Sequence, residues 1–329
     1  MGQVTPDPAQ RGEFDLIAKL LAPLTGGDER ALNLLDDAAV IPSRPGLDTV
    51  VSTDTLVAGV HFLMIESADV IARRLLRVNL SDMAAMGAEP FAYFLNLTLP
   101  TEISDEWLEK FAAGLQTDQA QFGLHLLGGD TTRTPGPLSL SVTIFGEVPT
   151  GQAVRRSTAQ AGDLVFVSGT IGDAGLGLPR LRDGGGGEDP LVQRYQSPDP
   201  RVSLGTCLRG IASAMADVSD GLLADLGHIC TASAVAATLD ISTVPISDAA
   251  RSVIGDVEND ILGLLTSGDD YELVFTVSPE LVDAARTAAD MAGTRITEIG
   301  QLADGAAIVT VRDRDGHDVT PQMTGYRHF

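Results

Sequence analysis

The stretch "NLSDMAAMGAEP" (79–90) decides how this chain is read, because it sets one carboxylate, Asp82, inside a run of Leu, Met and Ala. At about 100° per residue, a helix over 67–87 gathers Arg73, Arg74 and Arg77 on one side. Asp82 falls nearly opposite, among Ile71, Leu75, Val78 and Met86. A carboxylate on an apolar face must be protonated, paired, hydrogen-bonded or bound to a cation, because burying its charge alone is costly. Ser81 and Gly87 keep a plainer reading open, in which Asp82 caps a turn that ends the helix early.

Other carboxylates stand in comparable places. "STDT" (52–55) carries Asp54 at the end of a predicted strand, and "LLDDAAV" (34–40) sets Asp36 and Asp37 before another. "LLGGDTT" (126–132) puts Asp130 after two glycines, and "DVSDGLLADL" (217–226) places Asp217, Ser219 and Asp220 where a helix begins. Turn formation or helix capping accounts for any one of them. Capping explains one residue of 217–220 and not the set. In an extended segment Asp217 and Ser219 share a face, and the glycine after Asp220 leaves room for a phosphate or an ion.

Two unit charges 4 Å apart repel by about 1 kcal/mol in water and about 4 kcal/mol near a protein surface, so carboxylates converging from these loops need cations. Oxygen ligands without cysteine or clustered histidine suit Mg²⁺, and Mg²⁺ suits phosphate chemistry. His61, His125, His228, His317 and His328 show no "HxxH" spacing, which disfavours zinc. Each reads first as an ordinary helix or loop residue, although His61 follows Asp54 by only seven positions.

The 329 residues exceed the usual size of one core, which favours two domains over a single large α/β domain. The turn-rich passage "PTGQAVRRSTAQAGD" (149–163) divides them into 1–149 and 150–329. A formal charge of −23 argues against a nucleic-acid partner. The apolar runs are too short to span a membrane, and "MGQVTPDPAQRGEF" lacks the pattern of a signal peptide, so a cytoplasmic protein is expected. Cys207 and Cys230 read as core thiols. Lysine occurs only at Lys19 and Lys110 and no P-loop is present, which leaves divalent metal, arginine and backbone N–H groups to hold any nucleotide.

Periodicity predicts helices over 12–24, 67–87, 102–121, 201–214, 222–232 and 279–291. Strands are expected over 38–43, 48–57, 91–99, 136–148, 163–169, 234–241 and 271–277, with a disordered loop at "RDGGGGEDP" (182–190). Helices and strands interleave in both halves, an α/β (α+β) pattern.

In chain order, "GEFDLI", "DDAAVI", "STDTLVAGVHF", "NLSDMAAMGAEP", "GGDTTR", "GEVP", "AGDLVFVSGTIGDAGLGL", "DVSDGLLADLGHI", "GDDYELVFTV" and "GYRHF" make a series that resembles the thiamine-monophosphate kinase family. That family shares its fold with aminoimidazole ribonucleotide synthetase. The resemblance spans nearly the whole chain and rests on the ordered set, since "GGD" or "SDG" alone is weak. It implies ATP-dependent phosphorylation of thiamine monophosphate to thiamine diphosphate, assisted by several Mg²⁺ ions. It also implies a homodimer in which the N-terminal ATP- and metal-binding domains meet in a β-barrel and the C-terminal domain completes an active-site cleft.

By the same resemblance, the metal positions are Asp37, Ser52, Thr53, Asp54, Asp82, Asp130, Asp217 and Asp220, with Asp54, Asp82 and Asp130 at the catalytic centre. Gly129, Asp130, Arg156 and Ser219 match ATP positions, and His61, Asp269 and Met323 match substrate positions. Three residues depart from the family pattern: Leu35 replaces a glycine before the paired aspartates, Asp269 a glutamate, and Met323 an aromatic. Two further readings keep the fold: an ATP-dependent synthetase of purine or selenophosphate chemistry, and an inactive nucleotide-binding homologue. "GDDYEL" and "GYRHF" argue against the first, and the retained carboxylates argue against the second.

Overall fold

From Arg74 to Ala85 every residue of helix α2 (Ala68–Ala85) is buried except Asp82. The computed structural model describes residues 13–255 and 258–326, so the extreme N-terminus, His328 and most of "GYRHF" lie outside the described residues. The chain divides within α2: residues up to Asn79 with Pro90–Glu147 form one compact unit, and Leu80–Glu89 with Val148 onward form the other.

The basic side of α2 is buried too. Arg74 is 1% and Arg77 6% exposed. Helix α3 (Asp105–Phe122) supplies Asp118, which accepts from Arg77 at Nε (2.6 Å) and Nη2 (3.1 Å) and from Arg73 Nε (3.0 Å). Ser104 caps α3 by accepting the Trp107 N–H, Gly123 ends it at φ +69°, and Trp107 stacks on Phe111 with ring centroids 5.1 Å apart.

The first unit opens with α1 (Glu13–Leu16), a π-helical turn (Ile17–Leu21) and a 3-10 turn (Ala22–Thr25) in place of one regular helix. Pro23, which has no N–H to give, stands where that helix would continue. The expected strand over 38–43 is absent: Val40 donates its N–H to the Arg30 carbonyl, and the segment pairs with no strand. Strands β1 (Leu47–Val57), β2 (Glu89–Pro100), β3 (His125–Thr134) and β4 (Ser139–Pro149) form one open sheet in the order β1-β4-β2-β3. Strict alternation of burial along β4 follows from one apolar and one polar face. β3 was not expected as a strand, because "GGD" reads as a turn. Here Gly129 and Asp130 pair in parallel with Leu95 and Asn96 of β2.

The second unit carries β5 (Leu164–Ser168), α4 (Asp173–Arg182), α5 (Pro190–Gln196), α6 (Val202–Cys207), β6 (Ala212–Asp217), α7 (Leu222–Ser233) and β7 (Ala236–Asp240). It continues with α8 (Asp248–Ile254), α9 (Glu258–Leu265), β8 (Leu273–Val277), α10 (Val282–Ala292), β9 (Ile296–Ala303) and β10 (Val309–Arg312). Its sheet runs β10-β7-β9-β5-β8-β6, antiparallel except for the β10–β7 pair. One face packs Val165, Val167 and Val274 with Leu222, Leu226 and Ile229 of α7. The other packs Phe166 and Phe275 with Leu204 of α6 and Ala285 and Ala288 of α10.

The helix expected over 201–214 stops at Cys207 because Gly210, at φ +70°, turns the chain into β6. The tetraglycine passage is a defined turn, in which the Gly184 and Gly185 N–H groups bond the carbonyls of Leu181 and Arg180.

Beneath β5 lies a buried charge network. Glu272 is fully buried and accepts from Arg201 at Nε (2.7 Å) and Nη2 (2.6 Å), from Arg194 Nη2 (2.7 Å) and from the Ser168 hydroxyl. Burial alone would push this carboxyl up, but the Arg201 hydrogen bonds and the two guanidinium charges hold it below its ordinary range. Gly169 must be glycine, since a Cβ there would lie 2.1 Å from Glu272 Oε1. Glu272→Gln therefore leaves two partly buried arginines facing a neutral amide. It should destabilise the protein by about 3 kcal/mol or more, read from the urea unfolding midpoint.

Candidate active site

The second unit holds half of the expected residues: Asp82, Arg156, Asp217, Ser219, Asp220, Asp269 and Met323. Asp217 ends β6 and is 3% exposed, and its Oδ2 accepts the Ser81 hydroxyl at 2.8 Å. Burial, then the charges of Asp82 and Asp225, push the Asp217 carboxyl up to about 8, while Ser81 and Arg156 pull the other way. Asp82 thus sits at the one gap in the buried run 74–85, next to a second carboxylate. It does not cap an early helix end, since α2 runs on to Ala85.

After Asp217 the chain turns through Ser219 and Asp220 into α7, and Asp225 reaches back from the helix. Its Oδ2 accepts the N–H groups of Ser219 (3.0 Å), Asp220 (3.0 Å) and Gly221 (3.2 Å). Burial pushes Asp225 up to about 7 despite these bonds, and the Asp220 charge adds to the shift. Ligand atoms of Asp220, Asp225 and the exposed His228 lie within 4.8 Å of one another. That grouping is not visible in the spacing of the histidines.

Two further segments are tied to this turn. The Ser219 carbonyl accepts the Asp269 N–H at 2.9 Å, and the Val218 carbonyl accepts the Tyr271 N–H at 2.8 Å. These bonds extend the β6–β8 ladder through a backbone with Asp269 at φ +72° and Tyr271 at φ +50°. Left-handed residues cost roughly 1 kcal/mol each, and aspartate tolerates that region better than a longer side chain. The shortening of the family's glutamate to Asp269 fits this geometry. The Asp220 carbonyl accepts the Tyr326 N–H at 2.9 Å, which docks the C-terminal segment on the same turn. Met323 is 78% exposed, and Arg156 is exposed with its charge bearing on Asp217 and Asp225.

In the first unit, Asp36, Asp37, Asn96, Gly129 and Asp130 line a cavity of about 400 Å³ whose walls include Ile17, Leu21 and Phe94. Gly129, at φ +152°, lies against β2, and a Cβ there would fall 1.8 Å from the Leu95 carbonyl oxygen. Leu35 is 84% exposed beside the paired aspartates. Asp54 lies within β1, not at its end. Its N–H donates to Asn79 Oδ1 (3.2 Å), and buried Asn79 is fixed by its own bond to the Leu75 carbonyl (2.9 Å). Thr53 Oγ1 donates to the Val142 carbonyl, and His61 Nδ1 accepts the Val57 N–H. Ser52 is half-buried on β1. Strands β1 and β3 are the two edges of the sheet, so Asp54 and Asp130 stand three strand spacings apart, about 14 Å along the sheet.

Asn79 and Asp225 were not singled out from the sequence, and Ser81 was noted only in support of an early helix end. Asn79 and Ser81 flank Leu80 in the opening stretch, and their polar type within an apolar run was the available signal. Asp225 lies inside "SDGLLAD", hidden by its ordinary place on a helix.

Residues 35–148 match the model of the AIR synthase related protein N-terminal domain, and residues 160–312 that of the C-terminal domain. The chain is 46% identical to the thiamine-monophosphate kinase of Caulobacter vibrioides, over 98% of this chain and 92% of that one. Its structure resembles that of the thiamine-monophosphate kinase from Stenotrophomonas maltophilia K279a (45% identity, TM-score 0.78, 84% of this chain and 89% of the other). It also resembles AaThiL complexed with AMPPCP and TMP (27% identity, TM-score 0.77, 98% of this chain and 100% of the other). Carboxylate-bearing turns, both matched domains and identity along nearly the full length coincide, and the chain belongs to the thiamine-monophosphate kinase family of AIR synthase related proteins.

Proposed function

We propose that this protein transfers the γ-phosphoryl group of ATP to the phosphate of thiamine monophosphate, giving thiamine diphosphate and ADP. The observation that carries the reading is the acidic turn 217–221, where Asp217 lies beside Asp82, Asp220 lies beside Asp225, and the Arg156 charge bears on both Asp217 and Asp225. A relative of the same length was solved with AMPPCP and TMP together, which supports two phosphate-bearing ligands.

The acceptor phosphate is already ionised at neutral pH, so no side-chain base is required. Positioning and charge neutralisation then carry most of the catalysis. Arg156 offers a planar fork of donors with no proton to lose. His61, Asp269 and Met323 are the proposed substrate contacts. Gly129 and Asp130, which line the first unit's cavity, and Arg156 and Ser219 of the second unit are each proposed as ATP contacts.

The donor set fits Mg²⁺: oxygen ligands only, and buried carboxyls whose raised affinity for protons marks a shortage of positive charge. Asp37, Ser52, Thr53, Asp54 and Asp130 of the first unit and Asp82, Asp217 and Asp220 of the second are the proposed ligands. Bound there, Mg²⁺ would supply charge neutralisation for the phosphates.

We further propose a cytoplasmic homodimer built through the first units, residues 1–149 supplying dimerisation and residues 150–329 the remainder of the site. Edge strand β1, 11 residues long with Val51 54% exposed, is a surface that a second copy could extend toward a barrel. No helix among the described residues is long and apolar enough to cross a membrane.

Purified protein with ATP, Mg²⁺ and thiamine monophosphate should give thiamine diphosphate and ADP in equal amounts. Absence of product at every Mg²⁺ concentration would refute the assignment.

A further inference from the structure

In sequence, the turn before α7 has the look of a phosphate cradle: three successive amides at 219–221, a glycine, then a helix N-terminus. Such convergent N–H groups attract an anion. In the structure one is already there. Oδ2 of Asp225, 1% exposed, accepts all three N–H groups at 3.0 to 3.2 Å. The turn is fastened from outside as well, by the Asp269 N–H on the Ser219 carbonyl and the Tyr326 N–H on the Asp220 carbonyl. Gly221, at φ +122°, is pressed against the 266–267 backbone, where a Cβ would meet the Thr266 carbonyl carbon at 2.9 Å.

We infer that Asp225 is a positioning residue, an internal anion that fills the amide cradle and orients the Asp217–Asp220 turn. With its amides satisfied inward, the turn meets ligands through the side chains of Asp217, Ser219 and Asp220, and Ser219 serves ATP through its hydroxyl. The inference rests on the proposed reading that Asp217 and Asp220 hold a divalent cation. Groups that orient metal ligands are typically worth 10- to 100-fold in metal affinity. An emptied cradle would also offer its N–H groups to phosphate, drawing it away from the cation.

The test compares wild type with Asp225→Asn, Asp225→Ala and Asp220→Asn. In metal-free wild type, amide hydrogen exchange at 219–221 should be slow, and in Asp225→Ala faster by at least about tenfold, with the end of α7 unchanged. Mg²⁺ binding followed by calorimetry should weaken by about 10- to 100-fold in both Asp225 variants. Inorganic phosphate should bind Asp225→Ala more tightly than wild type. Fast exchange at 219–221 in the wild type overturns the inference without any variant, should Asp225→Ala fail to fold. If Asp220→Asn weakens Mg²⁺ binding and Asp225→Asn does not, the positioning role is wrong and the metal reading stands. If Asp220→Asn leaves Mg²⁺ binding unchanged, the metal reading itself is wrong.

Discussion

Asp82→Asn should leave the fold intact and lower turnover by on the order of 100-fold or more at saturating Mg²⁺. The substitution is nearly isosteric, and Asp82 is only half-buried while every other residue from 74 to 85 is buried, so packing has little to lose. What is lost is charge beside Asp217. The Asp217 carboxyl is raised first by burial and next by the Asp82 charge, so in the variant it should ionise more readily. Metal-free Asp82→Asn is therefore expected to be as stable as the wild type or more so at pH 8, while its activity collapses. Circular dichroism and urea midpoints read the first effect, and initial rates read the second. Near-normal turnover would make Asp82 structural and remove the ground on which the site was located.

Much of the fold was legible where one local signal acts alone. Helix α2 lies within the expected 67–87, and β1 and α7 lie within a residue of their expected places, because their apolar spacing is uninterrupted; β4 starts three residues later than expected. The misreadings share a cause. "AAVIPS" has strand composition but no pairing partner, and a strand exists only by its pairing. "LLGGDTT" has turn composition, yet β2 lies beside it and accepts the close backbone approach that Gly129 permits. Residues 201–214 carry helical spacing, and a single left-handed glycine at 210 splits them into α6 and β6.

The candidate site was legible by residue type and illegible by support. The acidic residues announced themselves because carboxylates in apolar surroundings are costly. The groups that hold them did not: Asn79 on the Asp54 backbone, Ser81 on Asp217, and Asp225 on three amides. The first two contacts join residues 25 and 136 positions apart, and no spacing rule connects them; the third is local, but an aspartate in the first turn of a helix has an ordinary reading of its own. The arginines of α2 point the same way. On a wheel they form a polar side suited to solvent, whereas buried Asp118 of α3 turns that side inward.

Asp217 makes the second large effect a matter of pH. Its folded value, about 8, lies above the unfolded 3.8, so between these limits the folded chain binds a proton that the unfolded chain does not. Stability of the metal-free protein is then fully present below about pH 4 as far as this group is concerned. It falls by about 1.4 kcal/mol per pH unit as pH rises toward 8, and levels off above. A divalent cation bound at the ionised carboxylate has to displace that proton. Apparent Mg²⁺ affinity should therefore rise by about tenfold per pH unit from pH 6 to 8 and flatten beyond. Calorimetry at pH 7 in two buffers of different ionisation enthalpy should count about one proton released per ion bound at this group, with any contribution from Asp225, raised to about 7, adding to it. In Asp217→Asn the proton contributed by this group should disappear along with most of the affinity, leaving only the Asp225 contribution. Mg²⁺ affinity that does not change between pH 6 and 8 would mean that the cation avoids Asp217. Asp217 would then be a buried, protonated acid beside the half-buried Asp82, and the phosphates would have to be neutralised elsewhere in the chain.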